Sequence, residues 1–124
     1  MKLILATVLA ALIAAAFTSA SAMADNYGGV TAAEKQRVTK EVYRYWTGWE
    51  ARKMLCIIGR ESGFNKLARS RTNDHGLAQA NIIWARPMGK TWERRYTIKG
   101  GIEIAYRIYR SQGWQAWSAT VHRC

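Results

Sequence analysis

The sequence is poor in the residues that build metal sites, linkers and acidic surfaces. Among 124 residues it has 2 Cys, 2 His and 1 Pro, and only 8 Asp and Glu against 19 Lys and Arg. Cys56 and Cys124 lie far apart, and neither has the spacing to a second ligand that a zinc site needs. No metal or cofactor is therefore expected. Beyond residue 24 there is no internal repeat and no low-complexity segment, which excludes solenoid architectures and biased linkers. The one long apolar run, Leu3 to Phe17, is short and alanine-rich for a membrane span. The positive charges are scattered rather than in blocks, and no nucleic-acid-binding motif accompanies them.

What is present begins with that run. Met1-Lys2 supplies a positive start, Leu3 to Phe17 an apolar stretch, and Thr18 to Ala24 a string of small residues ending in Ala22-Met23-Ala24. This is the three-part pattern of a secretory signal peptide. The expected division is therefore a signal peptide over residues 1–24 and one domain over residues 25–124, in the periplasm or outside the cell. An uncleaved N-terminal anchor is the alternative. With cleavage, no stable membrane span is expected, and a monomer is.

A domain of that size buries a modest core. All six tryptophans (Trp46, Trp49, Trp84, Trp92, Trp114, Trp117) lie in it, and such rings bury much area each. In an oxidising compartment two cysteines read most simply as a disulfide, Cys56–Cys124. A loop of that length would contribute about 4 kcal/mol in the chain-entropy model. A free buried Cys56 is the alternative. Loss of Lys2 with the leader lowers the formal charge from +11 to +10. So basic a surface favours polyanions, which outside the cytoplasm include anionic cell-wall polymers and membrane surfaces.

The expected fold class is mainly α, with a small turn-rich or hairpin segment at 63–80. Thr31 to Glu34 forms a capping box that opens a helix. Val38, Val42, Tyr45, Trp46 and Trp49 follow on one face of it. Thr47-Gly48 breaks that helix, and a second one runs from about Trp49 to Ser62. Its apolar residues Met54, Leu55, Ile57 and Ile58 predict a central, buried element. Arg86-Pro87 is expected to interrupt regular structure. Lys99-Gly100-Gly101 reads as a loop before a last helix from Ile102 to about Ser111, which Gly113 ends.

Glu61 is the chemically interesting residue. It closes an apolar helix and is followed at once by Ser62-Gly63. A carboxylate beside a buried run is uncommon. Apolar surroundings favour its neutral form, and a neutral carboxyl serves as general acid on a glycosidic oxygen. On periodicity alone, a surface salt bridge is the simpler reading of Glu61.

Two linked segments weigh against the simpler reading. Glu61-Ser62-Gly63-Phe64-Asn65, then Asp74-His75-Gly76-Leu77-Ala78-Gln79-Ala80-Asn81, resemble the paired signature of lysozyme-like lytic transglycosylases of the SLT type. That family shows Glu-Ser, a loop, then Gly-Leu-Met-Gln-Ile-Asn. The same pieces resemble C-type lysozymes, where an Asp precedes the Gln and Asn. The resemblance covers residues 51 to 84 well and continues more weakly to Trp117.

The resemblance implies that the protein cuts peptidoglycan glycan strands between N-acetylmuramic acid and N-acetylglucosamine. Glu61 would be the acid, then the base. Ser62 would orient it or the substrate, and Gln79 and Asn81 would bind sugar. Each of these three also has an ordinary structural reading. Ala78 and Ala80 depart from the family's Met and Ile. The family's downstream Tyr-Asn is only half matched, by Tyr106 followed by Arg107. Asp74 separates two mechanisms. A lysozyme uses a second carboxylate; a lytic transglycosylase uses the substrate's N-acetyl group and leaves 1,6-anhydro ends. A non-catalytic cationic wall-binding protein is a further alternative. His75 and His122 read as surface residues.

Overall fold

The computed structural model describes residues 29–124, so the expected signal peptide lies outside the described residues. The fold is mainly helical, with one small two-stranded antiparallel sheet, as the sequence predicts.

Helix α1 spans Ala32–Val42. Its capping box is complete: Thr31 Oγ1 accepts from the Glu34 amide, and Glu34 accepts from the Thr31 amide. The helix buries Val38 and Val42 and stops there; Tyr43 to Tyr45 form a turn that delivers Trp46 to the core. Gly48, at φ +53°, opens α2 over Gly48–Ser62. Trp49 therefore does not continue the face of α1: it sits in the first turn of α2, 58% exposed. Met54, Ile57 and Ile58 are fully buried and make α2 the central element, with Leu55 only half-buried.

The chain then turns through a hairpin in which β1 (Asp74–His75) pairs with β2 (Ala80–Asn81). A single-turn 3-10 segment, Ile82–Trp84, leads to two one-turn helices, α3 (Ala85–Met88) and α4 (Lys90–Glu93). Pro87 does not interrupt structure here but occupies the third position of α3. The amides of a first turn have no acceptor inside the helix, so proline's missing N–H removes no bond.

Helix α5 spans Ile98–Gln112. The glycines expected in a preceding loop lie inside it. Thr97 caps the helix by accepting from the Gly100 amide, and the first turn presses against the chain leaving α4. A Cβ on Gly100 would stand 2.1 Å from the Arg94 carbonyl oxygen. Close approach, rather than flexibility, is what this glycine serves. Gly113 ends α5, a 3-10 segment over Gly113–Trp117 follows, and α6 (Ser118–Val121) packs on α2. Cys56 in α2 and Cys124 are joined by a disulfide. Among the described residues no helix is long and apolar enough to cross a membrane.

Candidate active site

Glu61 stands in the last turn of α2, half-buried. Gly63, at φ +59°, ends the helix two residues later, so the carboxylate projects where the helix gives way to loop. Its partner is the buried Thr120 in α6, whose Oγ1 donates to Glu61 Oε1 at 2.5 Å. Four residues beyond Thr120, Cys124 is bonded to Cys56, five residues before Glu61. The end of α2 and the C-terminal segment are thus tied antiparallel at two points, one covalent and one polar.

The second motif is built as a hairpin. Gly76 sits at φ +75°, and a Cβ there would approach the Arg95 carbonyl oxygen to 2.4 Å; only glycine fits this contact. Gln79, also left-handed at φ +52°, donates from Nε2 to the carbonyls of Ala68 (3.2 Å) and Gly76 (2.9 Å). Asn81 Nδ2 donates to Thr72 O and to Asp74 Oδ1, and its Oδ1 accepts from the Ile83 amide. Both amides therefore brace the hairpin backbone. Both also line a groove of about 160 Å3, with Asp74, Trp84, Ile108 and Trp117 among the other walls.

Asp74 is fully engaged. Ser70 and Thr72 hydroxyls donate to Oδ2, and Asn81 donates to Oδ1. Burial works against its charge, but these hydrogen bonds and the neighbouring His75 outweigh it and hold the carboxyl below its usual range. Asp74 is an ionised acceptor that fastens the turn.

His75 is not a surface residue, as its sequence context suggests, but 4% exposed. The hairpin places its ring under Trp92 and Tyr96. Nε2 donates to Asn73 Oδ1 at 2.8 Å, and Nδ1 accepts from the Tyr96 hydroxyl at 2.5 Å. Burial, then Arg95 and Arg69, push its pKa down against the pull of Asp74. His122 is exposed.

The two motifs meet through a residue that sequence reasoning treats only as core. Trp117, 5% exposed, donates from Nε1 to the Ala78 carbonyl at 2.9 Å. Ala78 lies in the hairpin turn; one turn after Trp117, Thr120 reaches Glu61. The segment from Trp117 to Thr120 thus holds the Glu61 end of α2 and the hairpin turn together. Neither contact has a local pattern that betrays it, because both cross more than 35 residues of chain.

The remaining candidates are less central. Ser62 Oγ donates back to Ile58 O within its own helix, a common fate of a helical serine. Tyr106 packs with Tyr45, Trp46 and Tyr109. It lies two positions before Ile108, about 200° around the helix, and it is not among the groove-lining residues. Glu61 is not among the groove-lining side chains; it is linked to them through Trp117 and Thr120. Among the described residues no group of His, Cys, Asp or Glu converges as metal ligands would. A larger groove, about 720 Å3, lies elsewhere, between α1 and the start of α5. No family model, no curated protein and no solved structure matches this chain.

Proposed function

We propose that this chain is a lysozyme-like enzyme that cuts the β-1,4 bond between N-acetylmuramic acid and N-acetylglucosamine in peptidoglycan, as a lytic transglycosylase with Glu61 as general acid and then base. The observation that carries the reading is the double tie of the C-terminal segment. Trp117 grips the Gln79-bearing turn, and Thr120 grips Glu61. Two sequence motifs separated by a loop are useful together only if something fixes them to each other, and this segment does so.

In the proposed reaction Glu61 donates its proton to the glycosidic oxygen as the bond to C1 breaks. The N-acetyl group of the same sugar stabilises the cationic carbon. The 6-hydroxyl then attacks C1, and its proton returns to Glu61, leaving a 1,6-anhydro end. The groove beside Gln79, Asn81 and Trp84 would seat a sugar ring, with Trp84 offering a stacking face. The engagement of every oxygen-facing donor around Asp74 suits a structural anchor better than a nucleophile.

One observation favours a muramidase instead. Asp74 is held ionised in a polar setting, as a charge-stabilising second carboxylate would be. The nature of the new chain ends separates the two, since hydrolysis leaves reducing ends. Glu61→Gln tests the shared core of both. The amide keeps an oxygen for Thr120, so the fold should hold, wall binding should persist, and clearing of purified peptidoglycan should cease. Full clearing by that variant refutes Glu61 as the acid, whereas wall binding without clearing by the native protein would leave a cationic wall-binding protein.

A further inference from the structure

A groove between α1 and the start of α5 is lined by six cationic side chains, Arg37, Lys40, Arg44, Lys66, Arg94 and Lys99. They come from α1 and the turn after it, the loop after α2, the α4–α5 link and the first turn of α5. Three of them are answered by carboxylates. Arg44 pairs with Glu41, Lys66 with Glu34 and Arg94 with Glu103. Arg37, Lys40 and Lys99 have no carboxylate within 4.0 Å among the described residues and are exposed. A concave surface of about 720 Å3 therefore carries three positive charges with no paired carboxylate, of which Arg37 alone feels a more distant one, Glu34. Like charges converging on one concavity repel each other, and a bound anion relieves that repulsion.

We infer that this groove is a second binding site, for a polymer bearing closely spaced phosphate or carboxylate groups. Arginine forks and lysine points together suit such groups. The walls also include Tyr96 and Ile98, which would contact the uncharged body between anionic groups. A soluble polymer fits better than a membrane surface. The large exposed apolar residues that would enter a bilayer, Trp49, Leu67, Ile82 and Ile83, lie outside the groove, as does Tyr43. The site does not depend on the reading of Glu61, because the groove shares no residue with the Glu61 and hairpin constellation.

The groove has one structural link to the hairpin. Tyr96 lines it and donates to His75, the neighbour of Asp74 in β1.

The test compares two triple variants of equal charge change. Arg37→Ala/Lys40→Ala/Lys99→Ala strips the groove; Arg52→Ala/Arg86→Ala/Lys90→Ala strips exposed cations outside it. Binding to inorganic polyphosphate, to poly-glutamate and to anionic phospholipid vesicles is measured against salt concentration. For at least one polymer, the groove variant should lose about three in the slope of log affinity against log salt, while the control variant loses clearly less. Phosphate and carboxylate sources are told apart by which polymer shows the difference. Equal losses in the two variants would overturn the proposal, since charge alone would then explain binding. So would vesicle binding that exceeds polymer binding and depends on the groove residues. Retained helical circular dichroism in both variants shows that the comparison is between folded proteins.

Discussion

Glu61 and Asp74 are both half-buried carboxylates, yet their surroundings differ. Asp74 has three donors on its two oxygens, whereas the described contact of Glu61 is a single hydroxyl, that of Thr120. Each donor to a carboxylate favours its charged form, and Asp74 has three, whereas one hydroxyl from the buried Thr120 is left to position Glu61. Thr120→Val removes that hydroxyl with little change in volume. It should lower kcat about tenfold, equivalent to ~1.4 kcal/mol of barrier, with KM nearly unchanged and Thr120→Ser restoring the rate. An unaltered kcat would show that Thr120 does not position Glu61. His75 gives a prediction in pH. Its folded pKa lies below the ordinary 6.5, so the unfolded chain takes up its proton first as pH falls. Stability from this group is complete above about 6.5 and is lost as pH drops through the folded value. Chemical denaturation from pH 7.5 to 4.5 should show this loss, and His75→Gln should flatten the upper part of it. A slope identical in both proteins would rule His75 out as its source.

At the scale of elements, the three long helices were legible in the sequence, α5 with its start placed four residues late, and the short ones were not. The capping box at Thr31 and the left-handed Gly48 are local signals, read from a few neighbouring residues. Gly100 and Gly101 misled because helix propensity argues against paired glycines, at roughly 1 kcal/mol each, whereas packing against the α4–α5 link demands one of them. The adjacent glycines should therefore respond oppositely to alanine. Gly100→Ala, with its Cβ 2.1 Å from a backbone oxygen, should destabilise by about 2 kcal/mol. Gly101→Ala meets nothing nearer than 3.4 Å and should be neutral or gain up to ~1 kcal/mol. Thermal melts of the two variants decide it, and equal losses would mean that the close approach is not what selects Gly100. The same reasoning explains His75: a two-residue strand too short to show alternation carries it inward, beneath rings that arrive about 20 residues later.

At the scale of the whole molecule, the C-terminal segment closes the structure. Trp117, Thr120 and Cys124 each reach back, to the hairpin, to the acid and to the helix that bears it. The individual residues were visible in the sequence, but only the Cys56–Cys124 pair was legible as a contact, because two lone cysteines in a chain expected to be exported have few alternatives. A tryptophan or a threonine has many, and neither tie lies within reach of a periodicity argument. Replacing both cysteines by serine should remove about 4 kcal/mol and lower the melting temperature by roughly 15–30 °C. Clearing activity should fade at temperatures where the helical signal is still intact, because the C-terminal tie frays before the core. Coincident loss of activity and helix would argue that the segment does not position Glu61.

The most direct measurement is mass spectrometry of the soluble products that the folded, disulfide-bonded protein releases from purified peptidoglycan, with Glu61→Gln in parallel. The account predicts muropeptides with 1,6-anhydro ends from the native protein and none from the variant. No soluble glycan fragment from the native protein would contradict it.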